Sequence, residues 1–177
     1  MATNIAALTA AKAMNPKELN AVAVSIINDR LVDEYTAHFF YRTASNWCKG
    51  IGYNNAAEFF AKEAAAELEH AEKLQQYLVD WNINPTMPSV KPNITFSGLI
   101  DIVNKAYALE YGLFQKYNAD SAKIFPTDLT TFDFLQWFRN IQFESITEFS
   151  DLLNAAQLID PTNKLDIIHF EELYFKG

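Results

Sequence analysis

The chain has one cysteine, Cys48, in 177 residues. No disulfide can close within it, a composition that suits a reducing compartment. Glycine and proline are scarce, at five and six. Most of the prolines lie between Pro85 and Pro92 or near the ends. So few chain breakers leave long unbroken segments, which favours helices over many short strands. No cluster of Lys and Arg occurs, and the formal net charge is −8. A protein that binds a nucleic acid duplex needs a basic face to displace counterions, so nucleic acid is excluded as a partner. An acidic body instead attracts cations. No segment approaches the run of about 20 apolar residues that spans a bilayer, so no membrane partner is expected. Residues Met1 to Met14 lack a basic start and a continuous apolar run, which argues against a secretory signal. A cytoplasmic protein is the expectation. Half the residues are hydrophobic, enough for one domain with a sizeable core.

Apolar residues recur at helical spacing along most of the chain. Asn15-Pro16-Lys17-Glu18 reads as a helix start with Asn15 as N-cap. The first helix runs from there to Cys48 and is stopped by the glycines of Lys49-Gly50-Ile51-Gly52. A second helix is expected from Asn54 to Trp81, rich in strong helix formers. Asn82 to Thr95, with Pro85, Pro88 and Pro92, reads as a long extended connection. Such connections need a reason, and a crossover between two parallel helices of a bundle is one. A third helix is expected from Ser97 to Ile124. A fourth runs from Pro126-Thr127-Asp128, or from Thr130 or Thr131, to about Leu158, and a short fifth from Lys164 to Phe175. The fold class is all-α, a four-helix bundle. Residues 1–15 form an N-terminal extension, 16–158 the bundle and 159–177 a short helix or tail.

Polar residues interrupt the apolar stripes at one level of each helix. They are Glu34 on the first, Glu67 and His70 on the second, Glu110 on the third and Gln142 on the fourth. Glu67 and His70 are three residues apart and project from one helical face. Glu-x-x-His helices facing inward are how four-helix bundles hold iron in their core. Alone, such a pair is more often a salt-bridged core detail than a ligand set. Four helices each contributing a polar group reverse that balance. No Lys or Arg is expected on these inner stripes nearby, and burying several carboxylates without a countercharge is costly. A metal ion supplies the charge, and carboxylates with one imidazole suit iron or manganese, while zinc also fits. Two metals fit better than one. Glu34, Glu67 and His70 make one position, and Glu67 bridges to a second with Glu110 and Gln142. Tyr41 lies two turns after Glu34 on the same face, placed to hydrogen-bond near the site or to supply an electron. His38 is read as packing, His169 as surface or interface, and Cys48 as an inert small residue. Glu69 and Glu72 are read as a solvated helix face.

These residues together resemble the ferritins. Glu67-Leu68-Glu69-His70-Ala71-Glu72-Lys73-Leu74 is close to the second-helix signature of H-type ferritin chains. Glu34 with Tyr41 looks like the first-helix pair of that family. Trp47-Cys48 is similar to the end of that helix in bacterial ferritins. Phe132-Asp133-Phe134-Leu135-Gln136-Trp137-Phe138 is similar to the start of their fourth helix, which puts Gln142 at the expected position. The resemblance covers roughly Pro16 to Leu158. It implies a ferritin-like bundle with a short C-terminal helix, and an iron-storage subunit with ferroxidase activity. It implies Fe²⁺ and O₂ or H₂O₂ as reactants, two irons per subunit at an intrasubunit centre, and a homo-oligomeric shell of 24 copies. Glu34, Glu67, His70, Glu110 and Gln142 then carry over as centre residues, and Tyr41 as the tyrosine beside them. Glu69 and Glu72 match acidic inner-surface positions linked with mineral nucleation.

The departures refine this. Ser145 stands where many bacterial ferritins have Glu and bacterioferritins have His, which brings the centre closer to the H type. Of the acidic positions of a third iron site, Ala66, Ile141 and Ser145 are not acidic and only Glu144 remains, so that site is expected to be weak or absent. Leu68 occupies the position of a haem-ligating Met, so no haem is expected. The acidic channel pattern of animal chains is not matched at Phe132 and Leu135, with Asp133 and Gln136 as substitutes. A soluble di-iron or manganese redox enzyme of the rubrerythrin type is the alternative, although rubredoxin-type Cys pairs are missing. A non-catalytic helical scaffold, or a DNA-protecting relative whose basic tail is missing here, is a third reading.

Overall fold

The structure, a computed structural model, describes residues 19–90 and 94–175. Among the described residues the chain is all helical: α1 Ala21–Ile51, α2 Asn54–Asp80, α3 Leu99–Ile124, α4 Leu129–Ala156 and α5 Lys164–Tyr174. The expected start at Asn15 and Pro16 lies outside the described residues. Within them α1 opens at Asn20, whose side chain accepts from the Val22 N–H at 2.8 Å. Gly50 does not stop the helix as expected; it remains in the last turn. Gly52 stops it, at φ 100°, donating to the carbonyls of Cys48 and Lys49. A left-handed residue just past a helix end is the position glycine fills most cheaply. Asp128 opens α4 by accepting from the Thr131 N–H at 2.9 Å, as an N-cap should.

Side-chain contacts fix the direction of each helix. Between α1 and α2, Tyr35 meets Gln75 and Ser45 meets Ala57. Between α1 and α3, Arg30 meets Asp120 and Tyr41 meets Glu110. Rising numbers meet falling numbers in both pairs, so α2 and α3 each run antiparallel to α1 and therefore parallel to each other. The stretch from Trp81 to Gly98 is the crossover that parallel neighbours require, and its described residues form no helix or strand.

The core splits in two. One apolar cluster gathers Tyr41, Phe60, Val103, Leu113 and Phe149. The other gathers Ile27, Leu31, Leu74, Tyr117 and Phe138. The predicted polar residues fall between these two clusters.

Helix α5 closes one end. Phe170 and Phe175 are buried there, and Phe175 lies 5.3 Å from the Phe59 ring. Helix α2 has no side-chain cap of its own at Tyr53. Glu171 of α5 supplies one from outside, accepting from the backbone N–H groups of Asn55 at 2.6 Å and Ala56 at 3.0 Å. A buried carboxylate there satisfies open donors and meets the positive end of the helix dipole. Glu171→Ala is expected to cost about 2 kcal/mol in a denaturant titration, the size of a lost charged cap. An unchanged midpoint would show that the ring contacts alone hold α5.

Candidate metal centre

Each helix of the bundle delivers its polar residue to one level. Glu34, Glu67, Glu110 and Gln142 are all buried, with Glu110 at 0% exposure. His70 is more open and lies edge-on to the rings of Trp137 and Phe138. Its Nδ1 is 3.1 Å from Glu67 Oε2 and 3.5 Å from Glu34 Oε2. Ligand atoms of Glu34, Glu67 and His70 all lie within 4.8 Å of one another, the one such set among the described residues. On the other side, Gln142 Nε2 donates to Glu110 Oε2 at 2.6 Å, and the Tyr41 hydroxyl donates to Glu110 Oε1.

Two buried atoms at this level have no hydrogen-bond partner, Glu34 Oε2 and Gln142 Oε1. Both are acceptors. Orphaned buried acceptors are rare in folded proteins and call for an explanation. Bound cations facing them are one, and carboxylate and amide oxygens with a single imidazole suit iron or manganese.

Electrostatics make the same point. Burial, then the charges of Glu34 and Glu110, push Glu67 well above the usual carboxylate range. Burial also pushes Glu110 up to about 7, against the hydrogen bonds from Tyr41 and Gln142. Burial would raise Glu34 too, but the groups it faces, His70 and Glu67 first and Tyr117 after them, hold it below its ordinary value. Without a cation the carboxyl groups of this layer oppose one another's ionisation. A metal ion that takes the place of a proton removes the conflict.

The structure corrects one expectation about charge. Arg30, one turn before Glu34, is buried on the inner side of α1. It does not neutralise the carboxylates, because Asp33 at 2.7 Å and Asp120 at 2.8 Å already hold its guanidinium. The layer still lacks a cation of its own.

Other predicted residues sit as follows. Tyr41 is fully buried between the parallel rings of Phe60 and Phe149, at 6.1 and 5.7 Å. His38 is half-buried, and its Nδ1 lies 2.6 Å from the Ala64 carbonyl oxygen. Cys48 is buried, and that burial pushes its thiol up to about 12, which makes it inert at neutral pH. Glu69 and Glu72 are exposed on α2. Glu144 is exposed on α4, on the wall of a pocket of about 520 Å³ that also holds Glu148, Asp151 and Tyr174. It does not join the buried layer. Leu135 is fully buried, so it lines no channel, while Asp133 and Gln136 are exposed.

Two further residues stand near the centre. Tyr117 is fully buried and its hydroxyl donates to Glu34. Glu63, one turn before Glu67, is pushed up to about 7 by burial and by Glu148 and Glu110. The sequence carried a signal for the tyrosine: Tyr117 follows Glu110 by the same seven residues that separate Tyr41 from Glu34.

Known proteins share this architecture. The chain is 29% identical over 143 residues to the bacterial non-haem ferritin of Campylobacter jejuni, covering 80% of this chain and 86% of that one. It is 28% identical over 134 residues to the bacterial non-haem ferritin of Escherichia coli, covering 75% and 81%. The crystal structure of an open-pore ferritin from the archaeon Archaeoglobus fulgidus superposes with a TM-score of 0.81 at 17% identity, over 90% of this chain and 98% of that one. The ferritin-like domain model matches residues 24–159, and with that span taking in nearly the whole of the four-helix bundle, the chain belongs to the ferritin family.

Proposed function

We propose that this chain is an iron-storage subunit that oxidises Fe²⁺ at an intrasubunit centre and retains the Fe³⁺ product in a hollow homo-oligomeric shell. The observation that carries the reading is the buried acidic layer between two apolar clusters, with two orphaned acceptor oxygens and with the Arg30 guanidinium already held by Asp33 and Asp120. Family membership supports storage as the purpose. Glu34, Glu67 and His70 would hold one iron, and Glu67, Glu110 and Gln142 a second, with Glu67 between them. Each Fe²⁺ gives up one electron, so a pair supplies the two that take O₂ to peroxide. Tyr41 would orient Glu110 from behind. Both oxygens of Glu110 are engaged by Tyr41 and Gln142, so the second iron has to displace one of those bonds, whereas Glu34 Oε2 stands ready. Exposed Glu69 and Glu72 would face the shell interior and offer carboxylates to the growing mineral, with Glu144 a weaker site beside them. A shell of 24 copies in the cytoplasm completes the proposal. Among the described residues no helix is long and apolar enough to cross a membrane.

The test is aerobic addition of excess Fe²⁺, followed by particle mass and iron retained per chain. The expected result is a particle many times the subunit mass that holds far more than a pair of irons per chain. A small species with a pair of metals would instead mark a rubrerythrin-like redox enzyme. No oxidation at all would sink both readings. An Fe²⁺-soaked crystal is expected to show its strong metal peaks in the buried layer and only weak density at Glu144.

A further inference from the structure

The two halves of the bundle repeat the same device. On α1, Glu34 is followed after seven residues by Tyr41; on α3, Glu110 is followed after seven by Tyr117. Seven residues are two helical turns, so each tyrosine shares a face with its own helix's glutamate. The antiparallel pairing of α1 with α3 then crosses the bonds: Tyr41 donates to Glu110, and Tyr117 donates to Glu34. Each metal-facing carboxylate is thus held from behind by a tyrosine of the opposite helix.

We propose that Tyr117 is a positioning residue of the metal centre: it holds Glu34 Oε1 and so restricts Glu34 to a single metal-facing oxygen, Oε2. This rests on the metal-centre reading above. The bond is made to Oε1, and Oε2 is the buried atom left without a partner, on the His70 side. The tyrosine is itself clamped. Its ring stacks on Phe138 at 5.1 Å and 9°. The Arg30 guanidinium lies 5.8 Å from the ring centroid and is fixed in turn by Asp33 and Asp120. A ring gripped on several sides cannot swing to follow a carboxylate that rotates, so rotation of Glu34 towards two-oxygen chelation breaks the bond and strands a buried hydroxyl. The halves differ in their second helices. Where the first presents Glu67 and His70, the second presents Gln142 and Ser145 at the same spacing. Gln142 takes the remaining oxygen of Glu110 at 2.6 Å; the remaining oxygen of Glu34 has only the longer approach of His70 Nδ1, at 3.5 Å. Tyr117 therefore defines the denticity of the position that is ready for metal.

The experiment uses Co²⁺, whose visible absorption reports coordination number without oxidation, added as a first equivalent to the metal-free, assembled protein. Wild type, Tyr117→Phe, Tyr41→Phe and His70→Ala are compared. The wild-type band is expected to vanish in H70A. In Y117F, Glu34 is free to chelate with both oxygens, coordination rises and the band is expected to weaken by roughly half or more. Y41F, which removes the same hydroxyl chemistry from Glu110, is expected to keep the wild-type band. A Y117F spectrum identical to wild type overturns the proposal but leaves the centre standing. Equal weakening in Y41F also overturns it, since the effect then does not belong to Glu34. A wild type with no band overturns both readings. If Y117F does not accumulate as folded protein, Arg30→Met loosens the ring with the hydroxyl intact. It is expected to shift the band in the same direction, and an unshifted band overturns the proposal.

Discussion

His70→Ala and Glu67→Ala are each expected to slow aerobic Fe²⁺ oxidation by roughly 100-fold or more, the scale of losing a ligand or its close support, while particle mass stays that of wild type. His70 is the only imidazole among the grouped ligand atoms, and Glu67 feels the charges of both Glu34 and Glu110. Neither side chain belongs to the apolar clusters that hold the bundle together. Glu67 adds a second readout of opposite sign. In the metal-free protein it is a buried carboxyl pushed well above its ordinary range by burial and by Glu34 and Glu110. Glu67→Gln removes that conflict and keeps the shape. The metal-free variant is expected to be more stable than wild type at neutral pH, although it oxidises iron poorly. Stopped-flow oxidation and chemical denaturation on the same samples check both. Wild-type rates in both variants would sink the site assignment, and a destabilised E67Q would mean that Glu67 is structural.

The metal-free protein is expected to lose stability as pH rises from about 5 to about 8. Glu110 and Glu63 are both pushed up to about 7 by burial, and Glu67 well above its ordinary value. For a carboxyl raised in the folded state, the folded chain binds more protons than the unfolded chain between the two values. Stability therefore falls as pH climbs through that window, and it levels off above the folded value. Below the unfolded value both states are protonated and the contribution stops changing. One isolated group displaced from 4.5 to about 7 accounts for about 3 kcal/mol. The groups share one field, so their total is less than the sum. Glu34 works in the other direction, because its value is lowered, but its loss belongs to more acidic solutions. Denaturant titrations of metal-free protein across this range provide the check, and flat or rising stability would contradict the account. Adding Zn²⁺ at the alkaline end is expected to reverse the loss, because the metal takes the place of the protons.

Much of this was legible in the sequence because the helices are long. Over such lengths the apolar period is unmistakable, and a polar residue on an apolar stripe stands out, as Glu34, Glu67, Glu110 and Gln142 do. Tyr117 did not stand out, because a tyrosine on an inner stripe is ordinary packing until its hydroxyl is seen to face a carboxylate. Arg30 was missed for a related reason. Helical position alone puts it near the inner face, but its buried pairing depends on Asp120, 90 residues further along. Glu171 reads as one acidic residue among several near the end, and its role emerges only when α5 folds back onto α2. Gly50 was read as a stop, but a glycine in a final turn can complete the helix when another, at Gly52, takes the left-handed position.

The cap supplied by Glu171 also bears on the order in which the protein can be finished. The first turn of α2 is completed by a side chain 116 residues further along the chain. Chains emerge from the amino end at about 5–20 residues per second, so α1 and α2 leave the ribosome as a hairpin whose upper end still has open backbone donors. Until the last helix arrives, the first turn of α2 lacks that cap, and Phe59 and Phe60 lack the ring of Phe175 against them, which makes α5 the last piece needed to close this end of the bundle.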